Sequence, residues 1–227
     1  MSTYALVHGT CVGAWCWDRV APHLEAAGHR VVAIDLPGDD PDATFGDYAE
    51  VLERALGDAD DNVVLVGHSG GGLTIPLVAV RRPVAELVFV CGLIPVPGES
   101  AVQRGLEWEV VEAQEWQVDN GDGSFSISPE GYHRHLAPDA DPEVVDAIIP
   151  RLRPQFVKPF LEPCPLDAMP DVPSRYILCV DDHIVGPDWS RREAPARLGV
   201  EPVELPGSHS PLLSRPRELA DLLLSPD

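Results

Sequence analysis

Along the chain, short blocks of consecutive apolar residues alternate with longer segments in which apolar positions recur every three to four residues. The blocks predict strands over Tyr4–His8, Arg30–Asp35, Asn62–Gly67, Glu86–Cys91, Arg175–Val180 and Glu201–Leu205. Most are apolar throughout rather than alternating, as parallel strands are when helices cover both faces. The intervening segments predict helices over Ala14–Ala27, Phe45–Leu56, Ser69–Val80, Pro187–Leu198 and Pro216–Leu224. Strand and helix in turn give an α/β fold built on a doubly wound, mostly parallel sheet. The helix starting at Ser69 is apolar almost all round, so it is expected to be the most buried.

Between Ile94 and Pro173 the alternation stops. This stretch carries Trp108, Trp116, Phe125, Phe156 and Phe160, a few short helical patterns and a proline-dense end from Pro150 to Pro173. So many aromatic residues argue against a disordered linker. The expected organisation is a core from residues 1–93 and 174–227, with a helical cap, residues 94–173, inserted over the carboxyl edge of the sheet. Open α/β sheets bind their ligands at that edge. Trp108, Trp116, Tyr132, Phe156 and Phe160 are expected to supply an apolar substrate pocket, some of them serving instead to fasten the cap.

Composition narrows the partners. The 227 residues suffice for one sizeable core, and no apolar run approaches the length of a membrane span. The opening MSTYALVHG enters a strand pattern at once, without a basic segment or apolar signal core, so a cytoplasmic location is expected. Five cysteines, odd in number and without close pair spacing, read as reduced core residues. A formal charge of −21, with Lys158 the single lysine, excludes a nucleic-acid backbone or an anionic membrane as partner. A small-molecule substrate is the expected partner, one that is not strongly anionic. The residues do not fix the oligomeric state, and a homodimer is allowed.

The chemistry begins at VVLVGHSGGG, residues 63–72, where an apolar block runs into a serine between glycines. Gly67-His68-Ser69-Gly70-Gly71 fits the nucleophile elbow G-x-S-x-G, in which a strand turns sharply into a helix and exposes a strained serine. A serine hydroxyl needs a base, and the base needs an orienting acid. His209, between the last strand and the last helix, is the candidate base. The acid comes from Asp181-Asp182 at the end of Arg175–Val180; successive residues point opposite ways, so only one can face His209, and Asp182 is taken. The order Ser69, Asp182, His209 is that of elbow enzymes. An oxyanion formed during acyl transfer would find backbone N–H donors at Gly70, where the helix begins, and at Thr10, in the loop after the first strand.

These stretches carry a resemblance. LVHGTCVGAWCWDRVAPHLEAAGHRVVAIDLPG, VVLVGHSGGG and YILCVDDHIVGPDW with ELPGSHSPLLSRPRELADLL resemble the α/β-hydrolase fold family, in particular its plant methylesterase and hydroxynitrile lyase group with bacterial relatives. In that group the acid lies five residues before the proline opening the next helix, which falls on Asp182 relative to Pro187; the oxyanion donors fall on the Thr10 and Gly70 backbones. The lyases carry threonine at the position of Gly9 and lysine at the position of Ser210. Without that ammonium, hydrolysis is implied rather than cyanohydrin cleavage. The plant esterases carry histidine at the position of Val12. The resemblance thus implies a cofactor-independent esterase or lactonase acting through an acyl-enzyme; a lyase, decarboxylase or oxygenase on the same scaffold, or a small-molecule receptor with a vestigial triad, are the alternatives.

Rival readings are weaker. A dinucleotide loop needs glycine where Ser69 stands, and a phosphate loop needs a lysine. His133 and His135 lack further ligands at metal-site spacing, so no metal is expected. His8 and His68 are read as packing residues, His183 as facing solvent, and Cys11 as a thiol without a base.

Overall fold

The computed structural model describes residues 1–59, 62–103, 107–108, 110 and 113–225. Six strands, β1 (Thr3–Val7), β2 (Arg30–Ile34), β3 (Val63–His68), β4 (Glu86–Val90), β8 (Ser174–Cys179) and β9 (Val203–Leu205), form one sheet in the order β2-β1-β3-β4-β8-β9, every pairing parallel. The apolar blocks of the sequence match all six. β1 and β3 are buried along their whole length, as two-sided helix cover requires. The connection from β1 leads to β2 on one side and the connection from β3 leads to β4 on the other, so the winding order reverses between β1 and β3. The loops after these two strands, starting at His8 and Ser69, therefore flank the crevice where such sheets bind ligands.

The helices Phe45–Leu56, Pro187–Leu198 and Pro216–Leu224 have the boundaries their patterns predict. Thr44 and Asp47 close a capping box at the start of the first. Two expectations change. Ala14–Ala27 divides into a 3₁₀ turn at Ala14–Trp17 and an α-helix at Ala21–Ala26. Ser69–Val80 divides likewise into a 3₁₀ turn, Ser69–Leu73, and a helix, Ile75–Ala79. Three successive glycines favour the tighter turn there, and Pro76 cannot donate into a continuous helix. As its composition implied, this segment is buried from Ser69 to Val78.

Between β4 and β8 the chain forms short helices and a small antiparallel sheet that periodicity did not reveal: β5 (Gln117–Asp119), β6 (Ser124–Ile127) and β7 (Gln155–Phe156). Three strands of two to four residues are too short to show alternation. A π-helical turn, Tyr132–Leu136, follows the sheet's first hairpin. This region reaches the core through specific bonds: Gln155 Nε2 donates to the buried Tyr48 hydroxyl (2.9 Å), and Phe156 N donates to Gly38 O (2.8 Å). Among the described residues no helix is long and apolar enough to cross a membrane.

Candidate active site

The turn after β3 is built by close packing. Ser69 adopts φ +51°, a left-handed conformation that costs a residue with a Cβ on the order of 1 kcal/mol or more. It is tolerated because the turn presses against the end of β1. A Cβ on Gly71 would lie 2.6 Å from His8 O, and one on Gly67 would lie 2.8 Å from Gly71 O. On the facing loop, a Cβ on Gly9 would lie 2.8 Å from Ser69 Cβ. Glycine is therefore required on both sides of the contact, for space rather than for conformation. Leu93 N donates to Ser69 O (2.9 Å) and ties the strained residue to the loop after β4.

Three side chains from three loops meet here. His209 Nε2 lies 3.0 Å from Ser69 Oγ, and His209 Nδ1 lies 2.8 Å from Asp182 Oδ2. With Nδ1–H donating to the carboxylate, the Nε2 lone pair faces the serine hydroxyl. Asp182 and His209 are each only 2% exposed. The buried carboxylate is matched by further donors: Asp182 Oδ1 accepts from Ile184 N (2.7 Å) and Val185 N (2.9 Å). Asp181 is exposed, so the strand's end turns Asp182 inward and its neighbour outward. Cys91, at φ +45°, brings its thiol within 4.8 Å of Asp182 and His209. Burial pushes that thiol well above its ordinary range, so it stays neutral beside the carboxylate.

His68 and His8 do more than pack. His68 Nε2–H donates to the backbone oxygen of His209 (2.8 Å), so the residue preceding the serine grips the loop that carries His209. Among the described residues its Nδ1 meets no hydrogen-bonding group. His8 Nδ1–H donates to Gly9 O (2.6 Å) while its Nε2 accepts from Leu36 N (2.9 Å), which fixes the peptide that leads into Thr10. Desolvation drives both rings to the neutral form, His8 to about 4 and His68 to about 3. Sequence reasoning had no signal for these bonds, since each joins a side chain to a backbone group.

Two cavities open on Ser69. The larger, about 300 Å³, is lined by the Thr10, Ser69 and Gly70 segment together with Trp108, Phe125 and Phe160. The smaller, about 20 Å³, lies on the His209 side between Val12, Tyr132, Leu136 and Ser210. Trp116 borders both. Thus Trp108, Trp116 and Phe160 line the larger space, and Tyr132 lines the smaller one. Phe156 lines neither. In the β6–β7 pairing it stands opposite Ser124, while Phe125 stands opposite Gln155, so alternation turns Phe156 to the face away from Phe125. Phe125 contributes the ring that Phe156 was expected to supply. Thr10 and Gly70 are adjacent on the chamber wall, an added Gly70 Cβ lying 3.7 Å from Thr10 N.

The remaining candidates are elsewhere. His133 Nε2 pairs with Asp146 (2.9 Å), His135 stacks at a tilt near the exposed His183, and the Cys11 thiol, raised far above its usual range by burial, faces Phe125 O.

A strained serine, a histidine loop and a strand-end carboxylate joined at the carboxyl edge of a parallel sheet define the alpha/beta hydrolase class. The chain belongs to the alpha/beta hydrolase family, whose model matches residues 5–222. It is 32% identical to Methylesterase 2 of Arabidopsis thaliana over 98% of this chain and 94% of that protein. Its structure superposes on that of polyneuridine aldehyde esterase with a TM-score of 0.84, at 26% identity, covering 99% of this chain and 98% of the other. A pyrethroid hydrolase from Sphingobium faniae JZ-2 gives a TM-score of 0.81 at 26% identity, over 98% and 95% of the two chains.

The buried histidines set an acid limit. In the unfolded chain each ring titrates at its ordinary value of 6.5, whereas in the fold it stays neutral down to about 4 (His8) or about 3 (His68). Below 6.5 unfolding therefore takes up protons, and stability falls as pH falls until the folded values are reached. Each ring contributes a loss of roughly 1 kcal/mol per pH unit in that window. Urea unfolding of His68→Gln is expected to show a shallower loss of stability than the parent between about pH 6 and pH 5, with the two slopes equal above about pH 7. Parallel slopes throughout would remove His68 as a source.

Proposed function

We propose that this chain is an ester-cleaving serine hydrolase, with Ser69 as nucleophile, His209 as proton carrier and Asp182 as the acid that holds the imidazole. The observation that carries the reading is the unbroken path of 2.8 and 3.0 Å contacts from a buried carboxylate to a serine held at φ +51°. Names of similar proteins, among them Methylesterase 2 and Esterase PIR7B of Oryza sativa subsp. japonica, agree with it.

Ser69 Oγ attacks the ester carbonyl carbon while its proton passes to His209 Nε2. Negative charge collects on the former carbonyl oxygen, where the Thr10 and Gly70 N–H groups receive it; the His8 bond to Gly9 O keeps the first of these peptides aimed. As the tetrahedral intermediate collapses, the bond to the alcohol oxygen breaks and His209 returns the proton to that oxygen. An acyl group now sits on Ser69. Water then repeats the sequence, giving its proton to His209 and releasing the acid. Asp182 stays ionised throughout and stabilises the imidazolium at each stage.

The unequal cavities orient the ester. The leaving oxygen must be near His209, so the alcohol occupies the small compartment of about 20 Å³ and the acid part fills the apolar chamber of about 300 Å³. A space of that smaller size holds one or two heavy atoms. Methyl or similarly short esters of a largely apolar acid are the substrates this geometry favours, and residues 94–173 serve as the cap that encloses them. Val12 and Ser210 border the small compartment, leaving no ammonium there for a departing anion. We place the protein in the cytoplasm, acting without a cofactor on small molecules.

Two outcomes are expected. Ser69→Ala should retain the fold by circular dichroism and lose turnover of methyl phenylacetate by about a thousand-fold or more; undiminished turnover would dismiss Ser69. In a series of alkyl esters of one arylalkanoic acid, lengthening the alcohol from methyl to butyl should lower kcat/KM by about 10- to 100-fold, the cost of overfilling a tight space by 1–3 kcal/mol. A flat series would reverse the assignment of the two compartments.

A further inference from the structure

The loop that carries His209 is held at two successive residues by two different elements. His209 itself is gripped through its backbone oxygen by His68. Ser210 lines the small cavity together with the buried Tyr132. Ser208, only 1% exposed, is held by Asp139: its hydroxyl donates to Asp139 Oδ1 in a short contact, and its N–H approaches Asp139 Oδ2 at 3.4 Å. The same hydroxyl lies 3.2 Å from Leu136 O.

Asp139 stands in the turn between the π-helical Tyr132–Leu136 and the helix Pro142–Ile148, far outside the sheet. Its second partner is Arg215, whose Nε is 3.8 Å from Oδ2. One carboxylate therefore spans from the residue before His209 to the residue that ends the following turn, Pro211–Ser214. Gly207 makes room for it. That glycine has φ +115°, and a Cβ there would lie 2.6 Å from Asp139 Oδ2 and 2.8 Å from Arg215 Nε. A backbone that only glycine adopts easily, pressed against a carboxylate contributed by the inserted region, is more than surface stapling requires.

We propose that Asp139 is a positioning residue for catalysis: through Ser208 it sets the distance of the His209 imidazole from Ser69, and so makes nucleophile activation depend on the inserted region. The bond it controls is the 3.0 Å contact between Nε2 and Oγ. Proton transfer needs hydrogen-bond reach, and a displacement of about 1 Å can cost about a hundred-fold in rate. Asp139 touches neither cavity, so it has no direct hold on substrate. The inference rests on the esterase reading above.

The test uses the full chain with Asp139→Ala, Asp139→Asn, Ser208→Ala and the double variant Asp139→Ala/Ser208→Ala. On methyl phenylacetate, Asp139→Ala should lower kcat about 10- to 100-fold while KM stays within about 3-fold. The rate at which a serine-directed phosphonate labels Ser69 should fall in parallel. Asp139→Asn, whose amide oxygen still accepts from the Ser208 hydroxyl, should recover to within about 5-fold of the parent. Ser208→Ala should match Asp139→Ala, and the double variant should lose no more than either alone. Parental kcat in Asp139→Ala or Ser208→Ala, an effect confined to KM, or multiplicative losses in the double variant would overturn the proposal. Should Asp139→Ala not fold, Asp139→Asn and Ser208→Ala decide by the same criteria. A parent labelled at Ser69 yet inert toward esters would sink the esterase reading alone, with the labelling rates still deciding the role of Asp139. A parent that is not labelled would sink both.

Discussion

Everything at this site rests on how closely the turn after β3 approaches the end of β1. Two backbones meet with no side chain between them, and the contact has no slack: Gly71 is packed under His8 O, and Gly9 under Ser69 Cβ. Close packing of this kind has low compressibility and leaves little room for displacement. It holds a serine at positive φ, puts its hydroxyl outside the sheet, and brings the Thr10 and Gly70 segments side by side. The reversal of winding order between β1 and β3 is what puts these two loops next to one another. Fold topology and local stereochemistry thus serve one geometric end.

Onto that fixed point the protein adds a buried polar network. An isolated carboxylate at 2% exposure would be costly, and Asp182 avoids the cost with one side-chain and two backbone donors. His68 and His8 extend the network to the backbone on either side. Both remain uncharged because burial opposes a proton more strongly than their carbonyl partners favour one. An uncharged His68 leaves the imidazole of His209 free of a neighbouring cation.

Much of this was legible from residues alone. Continuous apolar blocks mark strands covered on both faces, so all six core strands could be read. Pro187 and Pro216 fix helix starts by their missing N–H, and the turn motif around Ser69 fixes the elbow. The strand end offers Asp181 and Asp182 alike, and the spacing to Pro187 in the resembling family points to Asp182; His209 is read from its loop between the last strand and the last helix. What could not be read has a common cause. The small sheet of the inserted region, the exchange of Phe156 for Phe125, and the grips by His68, His8 and Asp139 depend on register between distant segments or on bonds to backbone atoms. Neither leaves a periodic trace in composition. The division of Ser69–Val80 into two turns belongs to a different class: three glycines and Pro76 announced it, and the apolar pattern outweighed them.

The small compartment has a bearing on turnover as well as on choice of ester. At about 20 Å³ it admits either a short alcohol or a single water, but not both. On an acyl-enzyme route the second reactant must therefore wait for the first product to leave, and enters the vacated slot beside the imidazole without the larger chamber emptying. On the proposed route, short alcohols at high concentration would compete with water for that slot and divert the acyl group into a new ester.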